Sequence, residues 1–157
     1  MTELNHARSF RDLVVYQKAK KVSRAIFESS KGFPKEETYS LTDQIRQASR
    51  SIGAQIAEAR AKRRYERHFI NKLTDADAEQ METQHWVDEA YECQYLDLSQ
   101  AEELSEELMQ IGRMLNSMIE KAPLFCGEND RMVPDQTADY LADTEDLLLA
   151  TDLITDN

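Results

Sequence analysis

The chain has 157 residues, the length of one ordinary domain, and its 4 Gly and 3 Pro are too few for a turn-rich β protein or a linker-rich array. It holds no run of about 18 apolar residues, so no membrane span is expected, and the N-terminus MTELNHARSF lacks the apolar centre of a signal peptide. The net charge of −11 hides a split: residues 1–72 carry 16 basic and 8 acidic side chains, residues 73–157 carry 3 and 22. Such asymmetry points to a charged partner, or to one half answering the other. The expected location is the cytoplasm, where Cys93 and Cys126 would be free thiols.

A first helix is expected over residues 9–31, stopped by Gly32-Phe33-Pro34. Val15, Ala19, Val22 and Ile26 recur at helical spacing, and Phe10, Leu13 and Val14 widen that face near its start. The second helix, over residues 40–61, has the cleanest stripe: Leu41, Ile45, Ala48, Ile52, Ile56 and Ala59. Ser40 and Asp43 resemble a capping box. Gly53 inside this helix predicts the close approach of another helix, since it costs about 1 kcal/mol relative to Ala. A third helix should run from Tyr65 to Tyr95, with Phe69, Leu73, Ala76, Val87 and Ala90 on one face and Trp86 beside it. Its middle is polar (Asp75, Asp77, Glu79, Gln80, Glu82, Thr83, Gln84), so it is expected to face water or a partner. Ser99 and Glu102 form an S-x-x-E box that should open the fourth helix, Leu104, Leu108, Ile111, Leu115 and Met118 give its seam, and Pro123 should close it.

Four long amphipathic helices with short joints predict an all-α fold, an antiparallel up-down-up-down four-helix bundle over residues 1–121. Residues 122–157 carry 9 acidic side chains and 1 basic one, and read as a largely disordered acidic tail with a short helix near 137–154.

Three segments carry a family resemblance. They are FRDLVVYQKA (Phe10 to Ala19), FPKEETYSLTDQIRQASRSIGAQIAEARAKR (Phe33 to Arg63) and FINKLTDADAEQMETQHW (Phe69 to Trp86). The most specific pieces are Leu41-Thr42-Asp43-Gln44-Ile45-Arg46, Ile56-Ala57-Glu58 and Glu79-x-x-Glu82-Thr83-x-x-Trp86. On these blocks the chain resembles the four-helix-bundle proteins encoded in intervening sequences of large-subunit ribosomal RNA genes, also called the S23-type ribosomal protein family. It is similar as well to the accessory bundle proteins of diversity-generating retroelements. The resemblance implies a homopentamer around a central channel. Through the retroelement branch it implies a reverse transcriptase and nucleic acid as partners. There are departures: the family's Asn-Ile-Ala-Glu-Gly reads Gln55-Ile56-Ala57-Glu58-Ala59 here, which predicts a longer or straighter second helix, Asp75 and Asp77 stand where relatives tend to be less acidic, and the acidic tail after Pro123 lies outside the family pattern.

The densest chemistry is the basic cluster Arg60, Lys62, Arg63, Arg64, Arg67 and Lys72 at the joint of helices two and three. Guanidinium groups pair bidentately with phosphate and release counterions, so the cluster points to RNA or DNA, with Tyr65, His68 and Phe69 as stacking groups. The alternative is a solvated helix start whose charges pair with acidic neighbours. The acidic tail is a candidate to fold back on this joint and screen it. Asp43, Arg46, Arg50 and Glu58 are candidates for a subunit or partner contact, or for interhelical pairing.

Glu82-x-x-His85 has the E-x-x-H spacing of di-iron bundles, and Glu3-x-x-His6 repeats it, with Glu58 as a further candidate ligand. A second core glutamate is lacking, so no metal or other cofactor is expected. No G-x-S-x-G, P-loop or H-E-x-x-H is present, and the histidines are scattered. The expected function is therefore non-enzymatic: an oligomer that binds nucleic acid, or a protein that handles it such as a reverse transcriptase or a ribosomal component. The alternatives are a protein-only scaffold and a metal-binding bundle.

Overall fold

The computed structural model describes residues 7–126. Four long helices pack in a ring: α1 (Val14–Ser30), α2 (Leu41–Ala61), α3 (Glu66–Glu92) and α4 (Leu98–Glu120), followed by the short α5 (Ala122–Phe125). The α2–α3 interface is the most extensive and α1–α4 the slimmest. Among the described residues there is no strand, and no helix is long and apolar enough to cross a membrane. The acidic segment beyond Cys126, including the helix expected near 137–154, lies outside the described residues.

The sequence stripes become the core. Val15, Ala19, Val22 and Ile26 of α1 meet Ile45, Ile52 and Ile56 of α2, Leu73 of α3, and Leu108, Ile111 and Leu115 of α4, all buried in one cluster. The close approach expected at Gly53 is not found: the nearest group to an added Cβ is the Tyr16 ring of α1, at an ordinary contact distance of 3.5 Å. The second helix runs through buried Ala59 to Ala61.

Five further local expectations need correction. The start of the first helix is a separate 3-10 turn, Phe10–Asp12, capped by Ser9 and Asp12, and α1 begins only at Val14. Ser40 makes no side-chain cap. Its hydroxyl and the Leu41 N–H both bond the Glu37 carboxylate, because a full charge at the helix dipole outcompetes a neutral hydroxyl. The fourth helix starts at Leu98, where Asp97 accepts from Gln100 N at 2.8 Å and Gln100 accepts from Asp97 N at 3.0 Å, so a D-x-x-Q box displaces Ser99 and Glu102. The first residues of the expected tail, 122–126, belong to the packed body: Ala122 and Phe125 are buried, and Phe125 stacks on Phe69 at 5.5 Å.

The polar middle of α3 is the fifth. Gln80 and Thr83 turn inward and are buried, while Asp75 and Glu82 stay exposed. Gln80 donates to Asp77 at 3.1 Å and accepts from Gln84 at 2.7 Å, and Asn116 of α4 reaches Asp77 at 3.4 Å and the Gly112 carbonyl at 2.8 Å. The buried Gln80 amide is tolerated here because both of its ends find a partner.

Candidate nucleic-acid interface

The joint between α2 and α3 is four residues long, Lys62 to Tyr65, and three of the four are cations. The turn closes tightly: Lys62 N bonds Glu58 O at 3.0 Å, and Tyr65 N bonds Lys62 O at 3.1 Å. Extended backbone at Tyr65 then redirects the chain into α3. A turn this short forces neighbouring long side chains apart, toward solvent. Lys62, Arg64 and Arg67 are exposed, whereas Arg60 and Arg63 are half-buried.

Arg60 anchors the N-terminal segment by donating to the Ala7 carbonyl at 2.7 Å. That contact brings a further cation to the joint. An open groove of ≈ 1030 Å³ results, lined by Arg8, Ser9 and Phe10 on one side, Ala57, Arg60 and Ala61 of α2, the turn residues Arg63, Arg64 and Tyr65, and Glu66 and Cys126. Sequence reasoning does not bring Arg8 and Phe10 to this site, since nothing in their spacing shows that the N-terminal segment folds back on α2. Burial raises the Cys126 thiol to about 11, with Glu66 adding to the shift and Arg63 opposing it, so this sulfur is a poor nucleophile.

Lys72 stands apart from the other five cations. It lies further along α3 and is half-buried, and it reaches Glu58 at 2.9 Å, Gln55 at 3.1 Å and Asp75 at 3.5 Å. Hydrogen bonding to Lys72, and then its charge, holds the Glu58 carboxyl below its ordinary value. The pair fastens α2 to α3.

Of the aromatic groups at the joint, Phe69 is only 2% exposed and stacks on Phe125, which leaves it unable to meet a base. Tyr65 is 60% exposed, and its ring lies 5.4 Å from that of His68.

Asp43, Arg46, Arg50 and Glu58 do not form one cluster. Glu58 faces α3 through Lys72, and Asp43 accepts from Gln47 at 2.8 Å. Arg46 donates through Nε to the buried Ser30 hydroxyl at 2.7 Å and lies over the Phe27 ring at 4.9 Å. Arg50 lies over the same ring at 5.4 Å, and Lys31 approaches it at 4.8 Å. Phe27 of α1 thus gathers two arginines of α2 by cation–π attraction at the edge of the α1–α2 contact.

The E-x-x-H pair does not point into the core. Glu82 accepts from Trp86 Nε1 at 3.1 Å, His85 leans on the Trp86 ring, and both are exposed. Among the described residues no three His, Cys, Asp or Glu side chains converge as metal ligands. Glu3 and His6 lie outside the described residues.

The arrangement invites comparison with known proteins. No curated protein matches. Among solved structures, a crystal structure of a protein of unknown function from the S23 ribosomal protein family of Bacteroides thetaiotaomicron VPI-5482 is 30% identical, with a TM-score of 0.63. The match covers 68% of this chain and 99% of that one. Residues 11–117, all four long helices but for the last residues of α4, match the family described as 23S rRNA-intervening sequence protein, and the chain belongs to that family.

Proposed function

We propose that this protein is a non-enzymatic oligomeric interaction protein that captures nucleic acid at the α2–α3 end of its bundle. A nucleic-acid-handling partner, a reverse transcriptase or a ribosomal component, would be met at the same end. The observation that supports this best is the exposure of Lys62 and Arg64 on one short turn and of Arg67 at the start of α3, beside a groove that adds Arg8, Arg60 and Arg63. None of those three exposed cations makes a salt bridge among the described residues, in contrast to Lys72. The lining carries Arg8, Arg60, Arg63 and Arg64 against Glu66, and that local excess of positive charge concentrates phosphate despite the net charge of −11. The acidic residues 127–157 follow Cys126, which lines this groove, and in this reading act as an internal competitor for it.

A salt-titrated mobility shift with RNA tests the reading. Affinity should fall with a clearly negative slope of log affinity against log salt. K62Q/R64Q/R67Q should flatten that slope by about 2 to 3, close to one unit for each phosphate that is no longer neutralised. A slope near zero in the parent chain would sink it. The second reading, a protein-only scaffold, draws on Met81, which is 59% exposed on the outer side of α3. It predicts a stable assembly whose mass does not respond to RNA.

A further inference from the structure

We infer that the joint takes single-stranded nucleic acid in preference to duplex, with the Tyr65 ring as the platform on which an unpaired base stacks. This rests on the proposed reading of the same site and adds to it the class of strand.

The inference starts from what Tyr65 does not do. It occupies the N-cap of α3, a position where Ser, Thr, Asp or Asn would satisfy free backbone N–H groups, and its side chain makes no cap bond. It is not a core residue either, because the aromatic slot at this end is filled by Phe69 against Phe125. A large ring is therefore held 60% exposed at a helix start, with only the exposed His68 ring, 5.4 Å away, in ring contact with it among the described residues. Its surroundings supply a reason for that exposure. Arg64 precedes it, Arg67 and His68 follow within the first turn of α3, and the groove with Arg8 and Arg60 opens beside it.

Phosphates of either kind of strand would be drawn to these cations. Only an unpaired base presents a π-face to an aromatic ring, since in a duplex those faces are covered by the neighbouring pairs. Tyr65 thus adds affinity for a strand and nothing for a duplex. Stacking on an aromatic ring is tolerant of base identity, so sequence preference should be weak.

The test uses the full chain at low salt with three probes: oligo(rU), oligo(dT) and a duplex of equal length. Tyr65→Ser is the informative variant, because it removes the ring and installs a good N-cap, so that a loss of binding cannot be blamed on a frayed helix. It should weaken strand binding by roughly 5- to 30-fold and leave duplex binding unchanged, while Tyr65→Phe retains the parent affinity. A loss confined to oligo(rU) assigns the platform to RNA. Equal affinity of the parent chain for strand and duplex overturns the inference. So does a Tyr65→Ser variant that keeps strand affinity while K62Q/R64Q/R67Q loses it; the basic site would then stand without a stacking platform. A triple charge variant that binds all three probes as tightly as the parent overturns the site itself.

Discussion

Gly112 of α4 makes room for Gln80 of α3: a Cβ at Gly112 would sit 2.8 Å from the Gln80 amide nitrogen and 3.3 Å from its carbonyl carbon. The amide cannot swing aside freely, because Asp77 and Gln84 hold both of its ends. Gly53 presents the opposite situation, with Tyr16 at an ordinary contact distance of 3.5 Å. Gly→Ala in a helix interior gains about 1 kcal/mol of propensity, whereas overpacking a fixed core costs about 1–3 kcal/mol. Gly53→Ala should therefore stabilise the protein by up to about 1 kcal/mol, and Gly112→Ala should destabilise it by about 1 kcal/mol. In a Gln80→Ala background the sign at Gly112 should reverse. Urea unfolding of the four-member cycle reads all of this, and additivity between Gly112→Ala and Gln80→Ala would refute the steric account.

The buried amide also shows where the sequence was legible and where it was not. Apolar spacing alone located the faces of all four helices, because period 3.6 leaves few alternative registers for Val15, Ala19, Val22 and Ile26. The same logic sent every polar residue of α3 outward, and Gln80 and Thr83 defied it. Their one visible trace was a glycine, Gly112, in the buried face of helix four. Cap residues were misplaced by two positions or assigned to the wrong partner, since Ser99-x-x-Glu102 and Asp97-x-x-Gln100 fit the same pattern. At the site, the exposed turn cations were readable from density alone. The withdrawal of Lys72 into an interhelical pair, and the arrival of Arg8, depend on tertiary contacts that no spacing encodes.

Gln94 ends α3 with φ of 62°, the left-handed conformation that costs an ordinary side chain roughly 1–2 kcal/mol. The geometry is imposed by the chain reversal, in which Tyr95 N bonds Ala90 O at 2.8 Å. Glycine adopts it without strain but gives up more freedom on folding. Gln94→Gly should thus raise stability by up to about 1 kcal/mol, and Gln94→Val should lower it by at least as much. Thermal melts of the two variants would check this. A Gly variant less stable than the parent would mean that the Gln94 side chain contributes contacts of its own.

Two carboxylates should act on stability in opposite directions with pH. Glu37 accepts from the Ser40 hydroxyl and the Leu41 N–H, and from the Tyr95 hydroxyl at 3.1 Å, which ties the α1–α2 joint to the α3–α4 joint. The Ser40 hydroxyl, then the Leu41 N–H, hold it below the ordinary 4.5. Its contribution is therefore complete above 4.5 and fades as pH falls through the folded value. Glu79 is raised by burial first, then by Glu82 and Asp75. Its ionised form is disfavoured in the fold, so it opposes folding at neutral pH, and the penalty disappears as pH drops below its ordinary value. Glu37→Gln should lower the urea midpoint at neutral pH, and Glu79→Gln should raise it. Both differences should shrink in acid. A Glu79→Gln gain that persists at low pH would point to packing in place of charge.

The end of the packed body can be located by cutting it. Removing residues 127–157 takes away 9 acidic side chains and 1 basic one but leaves the Phe125–Phe69 stack intact. The truncated chain should melt close to the full chain. Removing residues from 122 onward also takes Ala122 and Phe125 from the core and uncovers Phe69. Burial of one large apolar side chain is worth about 1.5–3 kcal/mol, so this shorter chain should lose stability on that scale. RNA binding should separate the two cuts from the parent in another way. Ending the chain at Cys126 deletes the acidic residues proposed to compete for the groove of Arg60, Arg63 and Arg64, so affinity at low salt should rise, and the gain should vanish at high salt as the charges are screened. Unchanged affinity after that cut would show that the acidic segment does not compete for the groove, while leaving the basic turn available to be tested by its own substitutions.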